Sequence, residues 1–131
     1  MLHPKNYQVN ETWIAFQLND APVMTDRDGD FNVIALMDAA SCFILDIGYV
    51  STDALEMPQS EAERLLDVAY SHKKQYSNEL LIPSHQMASV LSEQAERRGI
   101  HVVRVPEEQL HVLIDEARES FQGHISGNRV Q

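Results

Sequence analysis

The stretch VIALMDAASCFILDIGYVS, residues 33–51, decides the predicted fold because it consists of two apolar runs joined by a short bend. The runs are rich in β-branched and aromatic residues, which is typical of strands, and we place these strands at residues 31–37 and 43–50. A bend as short as residues 38–41 favours an antiparallel hairpin. Because an aspartate side chain accepts backbone N–H bonds in such a bend, we interpret Asp38 as a structural turn cap.

The hairpin is preceded by a further strand, so that the first half of the chain predicts a three-stranded meander. TWIAFQL at residues 12–18 is rich in aromatic and branched residues and predicts the first strand. The polar turn DRDGD at residues 26–30, with Asp-Gly at its centre, leads from this strand to the hairpin. Residues 1–10 are polar, and we expect them to be irregular.

After the meander, helical patterns alternate with short apolar strands. Ser60 and Glu63 have the spacing of a capping box and predict the start of a helix. That helix is expected to end near residues 77–78. ELLIP at residues 79–83 predicts the fourth strand, which ends at its proline.

A second helix, a fifth strand and a third helix complete the predicted order. We expect Ser84 to cap the second helix and Gly99 to follow its end in the left-handed conformation. HVVRV at residues 101–105 predicts the last strand, and Pro106 starts the final helix, which frays from residue 123 onward. The core-facing positions predicted for the second helix are Met87, Val90, Leu91 and Ala95.

The order βββαβαβα predicts an α/β fold with a mixed five-stranded sheet, three helices on its faces and right-handed crossovers. A length of 131 residues suits one domain, residues 1–131, with an ordered core at about 7–122. No stretch approaches the ~20 apolar residues of a membrane span, and the N-terminus lacks an apolar signal core. We therefore expect a cytoplasmic protein without membrane association.

The charge and the cysteine content restrict the function. Twenty acidic and ten basic residues give a net charge of −10, which repels polyanions, so nucleic acid is not an expected partner. The short basic pairs Lys73-Lys74 and Arg97-Arg98 lie on predicted helices and resemble solvated faces. Cys42 is the one cysteine; it lies in an apolar run without a neighbouring base, so we interpret it as a small buried hydrophobe rather than a nucleophile.

Two segments carry a resemblance to known proteins. The order of elements over roughly residues 12–121 resembles the ribonuclease H-like fold, and residues 33–51 look like the second and third strands of integrase cores. Residues 80–121 are also similar to the C-terminal part of uncharacterised bacterial domains, in which an LLIP strand, a helix, RRGIHVVRVP and a last helix follow one another. The resemblance implies a degenerate member of the ribonuclease H-like fold.

The active enzymes of that fold hold two metal ions with carboxylates in the middle of the first strand, near the end of the fourth, and on or near the last helix. Two divalent cations need several oxygen ligands. Here the first position falls on Ala15, Phe16 and Gln17, and the second falls on Ser84. The last helix offers three acids: Asp115, Glu116 and Glu119. The resemblance therefore implies the framework without the nuclease chemistry.

Other motifs that carry chemistry are incomplete. Asp26, Asp28 and Asp30 alternate as in a calcium loop, but the glycine and glutamate that an EF-hand requires are replaced by Phe31 and Met37. The six histidines are scattered without metal-binding spacing, and the five glycines are isolated, so no phosphate-binding loop exists. We expect neither a metal nor a cofactor.

Two hypotheses for function remain. The first is a non-catalytic small α/β domain, a protein-interaction or self-association module, in which a sheet edge left open by the meander could pair with a second copy. The second is a degenerate metal-dependent nuclease or a small-molecule enzyme that uses Asp20, Asp38 and either Asp115 or Glu119 around one metal. A metal that binds only the folded chain would raise its melting temperature, which distinguishes the two.

Overall fold

The structure, a computed structural model, describes residues 1–26 and 29–130, with side chains up to residue 123. Within these residues the chain forms five strands and three α-helices in the predicted order. They are β1 (Thr12–Gln17), β2 (Phe31–Asp38), β3 (Ile44–Ser51), α1 (Gln59–Lys73), β4 (Glu79–Pro83), α2 (Ser89–Arg97), β5 (His101–Val105) and α3 (His111–Val130). The predicted α/β class with a mixed five-stranded sheet is confirmed.

The strand order of the sheet is β3-β2-β1-β4-β5. The meander strands β1, β2 and β3 pair antiparallel, whereas β1, β4 and β5 pair parallel. Because parallel neighbours run in the same direction, the carboxyl ends of β1, β4 and β5 lie at one end of the sheet. The loops that follow these strands therefore gather at that end.

The central strand β1 is buried on both faces because its alternating side chains enter two different layers. Trp13 and Ala15 belong to the core cluster that packs against α1 and α2. Ile14 and Phe16 point the other way and pack against α3. The fold is thus a sheet with two helices on one face and one helix on the other.

Asp38 holds the bend between β2 and β3, and its side chain is almost fully buried at 3% exposure. The backbone N–H and the hydroxyl of Ser41 donate to its Oδ2 at 3.0 and 2.6 Å. The backbone N–H of Asn10 donates to its Oδ1 at 2.7 Å. The interpretation of Asp38 as a structural cap is confirmed, and the same carboxylate also fastens the segment before β1.

The predicted start of the first helix is wrong. Helix α1 begins at Gln59 after Pro58, and no side chain caps it. Ser60 already lies inside the first turn, and the Glu63 carboxylate accepts a hydrogen bond from the Gln59 side chain at 2.8 Å instead of from a capping residue. The predicted end of α2 is confirmed, because Gly99 follows it with a φ of +80°.

The predicted start of the second helix is wrong as well. Helix α2 begins at Ser89 after Ala88. Ser84 still belongs to the ladder, since its N–H donates to the Val105 carbonyl at 2.9 Å. Met87 was predicted to face the core, but it lies in the loop before α2 with 63% of its surface exposed.

Helix α1 closes the outer edge of the meander, contrary to the expectation of an open edge. The Tyr49 N–H donates to a carboxylate of α1 at 3.0 Å, and the Ile47 carbonyl accepts from a guanidinium of α1 at 2.8 Å. The Leu45 carbonyl lies 2.8 Å from an imidazole nitrogen of the same helix. The α1 side chains involved are Glu61, Arg64 and His72. Backbone groups bonded in this way cannot pair with another strand.

The polar turn before β2 is described only in part, because Asp28 lies outside the described residues. On either side of that turn Val23 and Phe31 exchange two backbone hydrogen bonds, of 2.9 and 3.0 Å.

In the described part of the chain, no helix has both the length and the apolar character that crossing a membrane requires.

Candidate functional site

A cavity of about 490 Å³ opens at the carboxyl ends of β1 and β4, beside the amino end of α2. Its apolar wall contains Ile34, Val50, Met57 and Leu91, and its opposite wall is polar. The carboxyl ends of adjacent parallel strands are where α/β folds commonly place ligands. This cavity is therefore the candidate functional site.

Side-chain amides build the polar wall and connect three parts of the chain. The Gln17 backbone N–H donates to the Gln86 amide oxygen at 3.1 Å, which ties β1 to the loop after β4. Asn19 is 3% exposed; its amide donates to the Asn32 side chain at 2.9 Å, and its oxygen accepts from the Val33 N–H at 2.7 Å. These amides carry no charge, so they could not balance the charge of two divalent cations as carboxylate ligands do.

An arginine of α3 reaches this wall and makes two hydrogen bonds there. Arg118 donates through Nε to the Gln17 carbonyl at 2.9 Å and through Nη2 to the Glu107 carboxylate at 2.8 Å. Its guanidinium also lies 5.8 Å from the centre of the Phe16 ring. The Arg118 charge is therefore balanced by Glu107, and Arg118 connects α3 to the end of β1.

Glu56, on the loop between β3 and α1, supplies the cap of α2. The Val90 N–H donates to one oxygen of its carboxylate at 2.9 Å, and the Ser89 hydroxyl donates to the other. These two bonds hold the pKa of Glu56 below its usual range, the Ser89 hydroxyl being the larger cause. The cap fixes the loop beside the cavity, so Glu56 positions one side of the cavity mouth.

Two large apolar side chains flank the mouth and are left in solvent. Leu55 is 86% exposed and Met87 is 63% exposed, and both line the cavity. Asp20 also lines the cavity and is exposed. The cavity lining thus combines exposed apolar surface with a carboxylate that has no partner among the described residues.

The four acids of the metal hypothesis lie in different places. Asp20 lines the cavity, but Asp38 lies at the opposite end of β1, whose six residues span roughly 17 Å at about 3.3 Å each. Asp115 lies 3.1 Å from His111 on the same helix, and Glu119 is exposed on α3. Among the described residues, no group of three or more His, Cys, Asp or Glu side chains is placed to hold a metal ion.

The positions that the resemblance assigns to metal ligands are only partly in the cavity. Ala15 and Phe16 are fully buried in the sheet, whereas Gln17 lines the cavity. Ser84 is exposed at the end of β4. Of these positions, Gln17 alone meets the cavity, and it offers a neutral amide.

Cys42 lies outside this cavity, in a groove of about 520 Å³ between the hairpin and α3. It is partly buried against the core cluster under α3, in agreement with its interpretation as a small hydrophobe. Burial, followed by the nearby carboxylates of Glu116 and Asp38, raises the pKa of the Cys42 thiol. A thiol perturbed in this direction is a poorer nucleophile at neutral pH.

Sequence reasoning missed most residues of the cavity. Gln17 lies at the end of the first predicted strand, Asn19 follows that strand, and Gln86 follows the fourth, so a polar residue at or after the end of each parallel strand was the available signal. Glu56 and Arg118 had no comparable signal, because their partners lie far away in the sequence.

Comparison with known proteins supports the fold alone. No protein-family model matches the chain, and no curated protein matches it. Among solved structures, the chain is similar to a chain in the cryo-electron microscopy structure of the simian T-cell lymphotropic virus intasome in complex with the PP2A regulatory subunit B56 gamma. The TM-score is 0.55 at 11% sequence identity, and the match covers 87% of this chain but 37% of the other. The predicted resemblance to integrase cores is thereby supported at the level of topology.

Proposed function

We propose that this chain is a non-catalytic protein-interaction domain on a degenerate ribonuclease H-like framework, acting in the cytoplasm. The cavity between Leu55 and Met87 receives an apolar side chain of the partner protein. The observation that carries this proposal is the exposure of these two side chains, 86% and 63%, at the mouth of an apolar-walled cavity. A partner that covers them removes apolar surface from water, which favours association.

The composition of the cavity supports a binding role over metal catalysis. Gln17, Asn19 and Gln86 present amides, which carry no charge to balance two divalent cations. The net charge of −10 opposes the approach of a polyanionic substrate over a long range. Both features favour a protein partner over a nucleic acid.

The charges at the mouth indicate the chemistry of the partner. Glu56 is satisfied by the amino end of α2, and Glu107 is paired with Arg118. Asp20 has no hydrogen bond or ion pair within the described residues. A partner segment with a basic residue next to an apolar one would pair with Asp20 while filling the cavity, and its binding would weaken as salt screens that pair.

Site-specific photo-cross-linking tests the proposal. Benzoylphenylalanine is placed at Leu55 or at Met87, and in the control at Val112, which is also exposed but lies on α3. After irradiation of the native cells, the first two positions should yield the same adduct, identified by mass spectrometry, and the control should not. Asp20→Lys should reduce the yield of that adduct. No adduct, or one adduct at all three positions, would contradict the proposal.

The alternative function is a degenerate metal-dependent nuclease or a small-molecule enzyme that uses Asp20, Asp38 and either Asp115 or Glu119. Its nuclease form is tested by incubation with single-stranded DNA, RNA and an RNA–DNA hybrid, each with magnesium or manganese at low salt. We expect no cleavage. Cleavage that disappears in Asp115→Asn or Glu119→Gln would replace the present proposal with the enzymatic one.

A further inference from the structure

The two outer edges of the sheet differ, since β3 is covered by α1 whereas β5 has backbone groups without a partner among the described residues. The His101 N–H donates to the residue before β4 at 3.0 Å, and the Val105 carbonyl accepts from the residue after β4 at 2.9 Å. Because alternate residues of a strand point their backbone groups to opposite sides, Val103 also bonds towards β4, while Val102 and Arg104 point outward. Within the described residues no group bonds to these outward N–H and C=O groups.

We propose that β5 pairs antiparallel with β5 of a second copy of this chain, about a two-fold axis at Val103. The N–H and C=O groups of Val102 would then exchange two hydrogen bonds with Arg104 of the second copy, and the symmetric pair would exchange two more. The two sheets would join into one continuous sheet. Val102 and Arg104 do not line the cavity, and the inference does not rest on the function proposed for the cavity.

The backbone of the strand's flanking residues selects this register. A shift that places Val102 opposite Val102 of the second copy would pair Arg104 with Ile100 of that copy. The Ile100 N–H already donates to the Ala95 carbonyl at 3.0 Å. A shift in the other direction would place Arg104 opposite itself and Val102 opposite Pro106, which has no N–H to donate. The register about Val103 uses every outward group and keeps the two Arg104 side chains apart.

The local charge favours a second copy in spite of the acidic chain. A groove runs along this edge between α2 and β5, and its charged residues are Glu93, Glu96, Arg97 and Arg104. The two acids and two bases balance, and Arg97 pairs with Glu93 at 2.7 Å. The edge is therefore a neutral strip on a chain with a net charge of −10, which lowers the repulsion between two copies.

Disulfide trapping tests the register, in a chain that carries Cys42→Ser to remove the native thiol. In Val103→Cys the new thiols face each other at a non-hydrogen-bonded pair, where the Cα atoms are about 4.5 Å apart and a disulfide can form. The matched control is His101→Cys, on the same face and more exposed. In the proposed dimer, position 101 of one chain would lie four strand positions, about 13 Å, from position 101 of the other, which is too far for a disulfide.

Mild oxidation of Val103→Cys should give a disulfide-linked dimer on a non-reducing gel, and His101→Cys should remain monomeric. In analytical ultracentrifugation at sub-millimolar concentration, the wild-type chain should form a reversible dimer. Val102→Pro removes an outward N–H without breaking a bond to β4, so it should weaken the dimer about tenfold or more, with unchanged circular dichroism. A monomeric wild-type chain, or equal cross-linking of both cysteine variants, would overturn the proposal.

Discussion

Replacing Asp38 with asparagine tests whether the hairpin bend depends on a carboxylate. The side chain is 3% exposed and accepts hydrogen bonds from Asn10 and from both the N–H and the hydroxyl of Ser41. An asparagine of the same shape keeps one acceptor oxygen and turns an NH₂ group towards the remaining donors. At least one backbone N–H then loses a charge-assisted bond, which costs about 1.5–3 kcal/mol of unfolding free energy.

The assay is urea denaturation at neutral pH, with Asp20→Asn as the matched control. Both variants remove one negative charge, but Asp20 is exposed and has no hydrogen bond in the described part of the chain. The Asp38→Asn midpoint should therefore fall by about 1 M urea with an unchanged slope, while the control should unfold like the wild type.

Two results would refute this account of Asp38. One is a midpoint for Asp38→Asn that matches the midpoint of Asp20→Asn, because the hydrogen bonds would then contribute nothing. The other is a rise in the wild-type melting temperature with magnesium or manganese that Asp38→Asn abolishes, because a ligand that binds only the folded state must stabilise it. The second result would make Asp38 a metal ligand.

Three further predictions follow from burial, capping and pKa. Glu56→Gln should lower the unfolding free energy by about 1 kcal/mol at neutral pH relative to Glu119→Gln, because it weakens the cap of α2. Since folding lowers the pKa of Glu56, the stabilisation that its carboxylate contributes is present above the unfolded pKa and is lost as the pH falls through the folded pKa. The urea midpoints of Glu56→Gln and Glu119→Gln should therefore converge at acidic pH. Leu91→Ala should lower the unfolding free energy by about 2–5 kcal/mol in the same assay, whereas Met87→Ala should leave the midpoint unchanged, and equal losses would contradict the observed burial of Leu91 and exposure of Met87. Iodoacetamide should alkylate Cys42 more slowly than a free cysteine at neutral pH, because its raised pKa reduces the thiolate fraction, and an equal rate would contradict that shift.

The sequence determined the order and type of the elements because these depend on residues that are close along the chain. Strands repeat with a period of two and helices with a period of 3.6, so apolar spacing distinguishes them without knowledge of the tertiary structure. The bend at Asp38 and the helix end at Gly99 were predictable for the same reason, since their hydrogen bonds or backbone angles are local.

The tertiary structure decided where the helices start. Ser60 and Ser84 matched the pattern of a capping residue, but neither caps a helix. The carboxylate that caps α2 comes from Glu56, 33 residues before Ser89. A free N–H of a helix bonds to whichever acceptor packing brings within reach, and a distant acceptor satisfies it as well as a local one.

The tertiary structure also decided the candidate site and the closed sheet edge. Gln17, Gln86 and Arg118 become neighbours only because the strand order places β1 beside β4 and α3 across the sheet. The edge of β3 is closed because α1 lies along it, which no pattern within β3 or α1 discloses. Periodicity shows which face of an element is apolar, but it does not specify which other element will pack against that face. The convergence of distant side chains depends on which elements pack together.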